Sequence, residues 1–183
     1  MSGPSGILAN AKREAWSQNE RGLVMDREDP RISKYLMLAT YVIGGAGILI
    51  GYTTVYDDPP SLTLAALLGA GIPGVLSWLR HSVFHRSDAK RMGWDLGVRN
   101  GFQIETGVAN LAWGVMAILA VGFDWGIVAE GASLLVFGLY LAGCSVMVAL
   151  SPKDERGHRT GAIIGRAAAA IFLVNLGIQG ITA

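Results

Sequence analysis

Residues Tyr35 to Tyr56, YLMLATYVIGGAGILIGYTTVY, contain no Asp, Glu, Lys, Arg or His. A helix rises 1.5 Å per residue, so about 20 apolar residues cross a hydrocarbon layer about 30 Å thick. A helix on a water-soluble domain shows one polar face, and this stretch has none, which makes it a membrane span. Tyr35, Tyr52 and Tyr56 lie near its ends, where amphipathic rings favour the headgroup level.

The composition of the whole chain agrees. Of 183 residues, 51% are hydrophobic and 16% charged, against roughly 25% charged in ordinary soluble domains. Mean hydropathy is +0.41. A net charge of +1 offers no basic face for nucleic acid, so no nucleic-acid partner is expected. The lone Cys144 excludes an internal disulfide framework, and with three histidines it makes a structural zinc site a poor expectation.

Four further stretches have span length: 62–79, 102–123, 125–150 and 161–182. The 62–79 stretch is interrupted by Gly69, Gly71, Pro73 and Gly74, which predicts a kink near mid-membrane. Only Asp124 separates 102–123 from 125–150, so a tight antiparallel hairpin is predicted. In the polar segment Arg80 to Gly101, Ala89, Met92 and Leu96 recur at helical spacing, which predicts a short helix lying in the interface. The expected fold class is an all-α polytopic membrane helical bundle with five transmembrane helices, made of a charged tail (1–34) and a transmembrane bundle (35–183).

Basic residues orient such a bundle, because cytoplasmic flanks accumulate them. Lys12, Arg13, Arg21, Arg27, Arg31 and Lys34 precede the first span. Arg80, Arg86, Lys90, Arg91 and Arg99 follow the second, and Lys153, Arg156 and Arg159 follow the fourth. The connections Asp57-Asp58-Pro59-Pro60 and Phe123-Asp124-Trp125 carry none. This alternation predicts a cytoplasmic N-terminus in a bacterial inner membrane. The first 34 residues lack the apolar core of a cleavable signal peptide, so the tail is expected to stay on the mature protein. Within it Ile7, Leu8, Ala11 and Ala15 share a helical face, and an amphipathic helix and a solvated tail both remain open.

Polar groups inside spans are costly and therefore candidates for function. Glu105 and Arg166 each lie about one turn inside a span that starts on the cytoplasmic side, at depths where they can pair. Asn110, Asn175 and Gln179 are neutral and suit bonds between helices. Glu130 lies close enough to the outer end of its span to be read as interfacial. His81 and His85, four apart, share one face if the helix is regular, a spacing compatible with metal ligation but also with two interfacial histidines between Arg80 and Arg86. Gly47 with Gly51, and Gly161 with Gly165, have the spacing that lets helices approach closely, either within the chain or against another subunit. No phosphate-binding loop, nucleophile elbow, zinc-protease helix or dinucleotide fingerprint occurs.

Gly93-Trp94, followed by Phe102-Gln103-x-Glu105-x-Gly107-x-Ala109-Asn110-Leu111-x-x-Gly114, resembles the central signature of an uncharacterised family of bacterial multi-pass membrane proteins, a domain of unknown function. The resemblance implies a small helical membrane protein in which Gln103, Glu105 and Asn110 occupy the family's polar positions at the start of a span. It implies no activity. The charged tail and the basic run after the fourth span depart from that pattern.

The function expected on these grounds is non-catalytic, with no cofactor: a structural or accessory subunit of a membrane complex, or a homo-oligomer, in contact with lipids and with other subunits or itself. The alternative is a small transporter or channel with Glu105 and Arg166 on a polar path. A lipid-modifying enzyme using His81 and His85 is the third reading.

Overall fold

The computed structural model describes residues 27–150 and 160–183, and every element among them is helical. The tail face at Ile7 to Ala15 and the basic run Lys153 to Arg159 lie outside the described residues. Helix α1 is Pro30–Thr54. Helix α2, Thr63–Val83, is built of alternating α and π turns. The short α3 is His85–Met92, followed by α4 (Gly101–Gly122), α5 (Ile127–Leu150) and α6 (Thr160–Thr182). All except α3 are long and apolar enough to cross a membrane.

Helix α1 starts earlier than its apolar run. Asp29 caps it, its Oδ1 accepting from the Arg31 amide at 2.8 Å, and Pro30 takes the first turn, where its missing N–H costs nothing. Ser33 thereby enters the helix and is fully buried.

At the glycine-proline run of α2 the helix neither stops nor breaks. It widens into a π turn, Leu67–Gly71, closed by the Ile72 amide bonding to the Leu67 carbonyl. The proline ring conflicts with the carbonyl four residues back, and a wider turn just before Pro73 accommodates it. A second π turn, Leu79–Val83, carries the helix past the expected end at 79.

Helix α3 departs from the apolar-face reading. Its buried residues are Ser87, Asp88 and Ala89. It ends at Gly93, whose φ of 77° suits a glycine, with Gly93 and Trp94 amides returning to the Lys90 and Ala89 carbonyls. Leu96 lies beyond that end and is 85% exposed.

Lipid tails are as apolar as leucine, so spans associate by close packing rather than by escape from water. Glycines supply the closeness. A Cβ on Gly47 would stand 2.5 Å from the Gly69 amide nitrogen, and one on Gly74 2.6 Å from the Asn110 carbonyl oxygen. Helix α5 meets α6 at Gly131 and Gly177 in the same way, where a Cβ on Gly177 would lie 2.6 Å from the Leu135 nitrogen. Leu62, Leu134, Phe137, Leu173 and Leu176 fill the centre between α2, α5 and α6.

The hydrogen bonds define which helix ends lie together. Ser33 at the start of α1 and Gln103 at the start of α4 both reach Asp88, as does His81 at the end of α2. Thr63 at the start of α2 donates to Glu130 at the start of α5, and Tyr52 late in α1 donates to Asn175 late in α6. Successive spans therefore run antiparallel. Arg86, Lys90, Arg91 and Arg99 share the end at which α1 begins, here termed the basic end.

Candidate functional site

The principal polar site gathers on one carboxylate at the basic end. Asp88 is 1% exposed. Its Oδ1 accepts from Ser33 Oγ at 2.5 Å and Arg91 Nη2 at 2.8 Å. Its Oδ2 accepts from His81 Nδ1 at 2.9 Å and Gln103 Nε2 at 3.1 Å. Two carboxylate oxygens offer about four lone-pair sites, and here all are taken. Four helices contribute a donor: α1, α2, α3 and α4.

The surrounding bonds orient those donors. Arg80 Nη2 lies 2.7 Å from His81 Nε2. A guanidinium can only donate, so Nε2 accepts and the imidazole proton is on Nδ1, facing Asp88. Arg91 Nε donates to Ser33 Oγ at 3.0 Å, and Ser87 Oγ accepts from the Ser33 amide at 3.0 Å. Gln103 Nε2 also donates to the His85 carbonyl at 3.1 Å. Burial pushes the Asp88 carboxyl up, but the His81 hydrogen bond and the Arg80 charge together outweigh it and hold the group well below the usual carboxylate range.

This geometry does not suit catalysis by Asp88. Serine, histidine and aspartate are all present, but Ser33 bonds to the carboxylate and the far nitrogen of His81 faces an arginine, so no hydroxyl is activated. A carboxylate with every lone pair engaged is neither a free base nor a metal ligand. It is a junction that fixes four helix ends.

Glu28 adds an outer layer of ion pairs, with Arg86 Nη1 at 2.7 Å and Lys90 Nζ at 2.6 Å. Arg86 Nη2 also reaches Asp95 at 3.5 Å. Asp95 accepts from the Gly97 amide, and that bond, with Arg86 nearby, lowers its carboxyl.

The residues singled out from sequence fare differently. Gln103 is a core member of the junction. Asn110, 4% exposed, donates to Tyr140 Oη at 3.1 Å and so ties α4 to α5. Asn175 accepts from Tyr52 at 2.8 Å and from Gln179 at 2.6 Å. Glu105 is exposed, Arg166 half-buried, and among the described residues no ion pair joins them. Glu130, expected at the interface, is 4% exposed and held by Thr63 Oγ1 at 2.8 Å. His81 and His85 do not share a regular helical face, because the π turn and the break at Phe84 lie between them. His85 Nδ1 instead lies 3.1 Å from the Ser82 carbonyl oxygen. No group of three or more His, Cys, Asp or Glu is placed to hold a metal among the described residues.

Sequence reading missed Asp88, Ser33 and Arg91. One signal was available: Asp88 is a lone acid among Arg80, Arg86, Lys90 and Arg91.

Gly47 and Gly51 are used within the chain, against Gly69 and against Leu176 and Ala65. For Gly161 and Gly165 no such use occurs among the described residues: a Cβ on either would meet none of them within 4 Å. They border an apolar groove of about 560 Å³, also lined by Gly44, Gly45, Pro73 and Phe137.

A family profile described as a family of unknown function, DUF6790, matches residues 36–178, a stretch that holds most of α1, all of α2 to α5 and most of α6. The chain belongs to that family. The match takes in Asp88, His81, Arg91 and Gln103, whereas Ser33 and Glu28 precede it. No curated protein and no solved structure matches the chain.

Proposed function

We propose that this DUF6790 chain is a non-catalytic membrane protein that works by helix association, as a structural or accessory subunit of a bacterial membrane complex or as a homo-oligomer. The observation that carries the reading is the open groove at Gly161 and Gly165. Gly47, Gly74, Gly107, Gly114, Gly131 and Gly177 each meet a neighbouring helix of the same chain, while Gly161 and Gly165 meet none among the described residues. A surface of Gly44, Gly45, Gly161, Gly165, Ala168 and Ala169 admits the backbone of one further transmembrane helix at short range. The saturated Asp88 supports the non-catalytic half of the proposal. The proposed setting is the bacterial inner membrane with the basic end in the cytoplasm, supported by the Lys and Arg content of that end. Among the described residues no ion pair joins Glu105 to Arg166, which gives the polar-path alternative no support.

Gentle purification and crosslinking test the reading. Wild type should migrate as an oligomer or with other membrane chains, and Gly165→Leu should release it without lowering its thermal stability. A lone monomer at native abundance ends the proposal.

A further inference from the structure

The groove between α1 and α6 has a charged end. Tyr41 lines it, as does Gly165, the neighbour of Arg166 in sequence. Tyr41 and Arg166 both lie within electrostatic reach of Arg80, as do Asp88 and Arg91. Three guanidiniums thus share one carboxylate, and the lone pairs of Asp88 go to Arg91, Ser33, His81 and Gln103. Neither Arg80 nor Arg166 has an ion pair among the described residues. Positive charge held inside a span calls for an anion.

The same chain carries that anion on another face. Glu105 is exposed and pairs with none of the described residues. From it the exposed face of α4 continues through Val108, Ala112, Val115 and Leu119. These steps of three and four residues are those of a seam that packs on another helix. A Cβ on Gly107 would lie 3.1 Å from His81 Cβ, and Ser82 Oγ donates to the Ile104 carbonyl at 3.0 Å. The end of α2 that carries Arg80 is therefore level with the turn that carries Glu105. Copies related by rotation about the membrane normal keep every residue at its own depth, so Glu105 of one copy meets the arginines of the next without a vertical shift.

We infer that, granted the helix association proposed above, the helix seated in this groove is α4 of a second copy, with Glu105 against Arg166 and Arg80. The contact is head-to-tail, α4 of one copy in the α1–α6 groove of the next, and its repetition closes a ring. Groove against groove would instead set arginine against arginine and one hollow against another. A lipid phosphate would answer the arginines and leave Glu105 unpaired.

Two experiments on the full-length chain test this. Val108→Cys and Ala168→Cys, in differently tagged chains on a Cys144→Ser background, leave the ion pair intact and should crosslink across tags in one membrane. In detergent, Glu105→Arg should weaken self-association about tenfold or more, and so should Arg166→Glu. Mixing these two variants should restore assembly, because each then offers the charge the other lacks. Glu105 is exposed, so Glu105→Arg folds as wild type does, and the cysteine pair is independent of how Arg166→Glu folds. Absence of the cross-tag product, or unchanged self-association in Glu105→Arg, overturns the inference. If Gly165→Leu then releases a different membrane chain, the groove still takes a helix and only the second copy is wrong. A wild-type monomer carrying only lipid removes both.

Discussion

Ser33 and Asp88 are 55 residues apart in sequence, and Ser33 Oγ donates to Asp88 Oδ1 at 2.5 Å with both side chains buried. The bond joins the first turn of α1 to α3. It packs the buried face of the short connecting helix, Ser87, Asp88 and Ala89, against the end of the bundle.

Replacing Asp88 by Asn keeps the shape and removes the charge. Arg91 and Arg80 are then left without their carboxylate, and an amide nitrogen faces donors. The expected loss is about 3–5 kcal/mol, as for breaking other buried pairs. Ser33→Ala removes one donor and should cost about 1–2 kcal/mol. Thermal or denaturant unfolding in one detergent measures both. Equal stability of Asp88→Asn and wild type would show that the junction does not hold the helix ends.

The depressed Asp88 carboxyl sets a pH dependence. A group whose folded value lies below its unfolded one stabilises fully above the unfolded value, about 4, and loses that contribution as pH falls toward the folded value. Wild type should therefore lose the Asp88 contribution progressively below about pH 4. Asp88→Asn should show a shallower acid limb. Parallel limbs in the two proteins would contradict the assignment.

The glycine contacts divide into two classes. Gly74→Ala drives a methyl to 2.6 Å from the Asn110 carbonyl and 2.7 Å from the Gly114 Cα, both backbone. It should separate α2 from α4 and destabilise by about 1–3 kcal/mol. Gly45→Ala meets nothing within 4 Å among the described residues and should change stability by less than about 0.5 kcal/mol. Melting the two variants side by side decides whether packing distance, and not glycine content, governs stability.

Antiparallel spans require the two kinds of connection to face opposite compartments. Single cysteines at Asp57 and at Arg99, on a background with Cys144 replaced by Ser, should label from opposite sides of sealed vesicles. Labelling from one side would contradict the chain path.

Glu105→Gln should leave stability within about 0.5 kcal/mol of wild type, because the carboxylate is exposed and pairs with no described residue. Solute or proton flux in liposomes that vanishes in this variant would restore the transport reading.

The five spans were legible because an apolar run of membrane length has few other fates, and the basic residues gave the alternation. Asn110 was legible as a bond between helices for the same reason: a lone amide in hydrocarbon needs a partner. The junction was not. Asp88 lies among basic residues in a linker, where charge is expected to face water. Its burial follows from Ser33, His81 and Gln103 arriving from three other helices, and such long-range coincidence leaves no local periodic trace. The Glu105 and Arg166 pairing matched depth along the membrane, but depth does not fix the direction a side chain takes around its helix. His81 and His85 were projected on a regular helix, and the backbone between them is not regular.

The two π turns of α2 bear on how this helix can be mapped by experiment. Each holds one more residue than an ordinary turn, so side chains after it are rotated by about 100° from a helical wheel drawn from Thr63. A lipid-accessibility or spin-label scan along α2 should thus give two stretches of 3.6-residue periodicity, Thr63–Ala66 and Ile72–Trp78, offset in phase. A single sinusoid fitted to both would put the wrong residues against the bilayer.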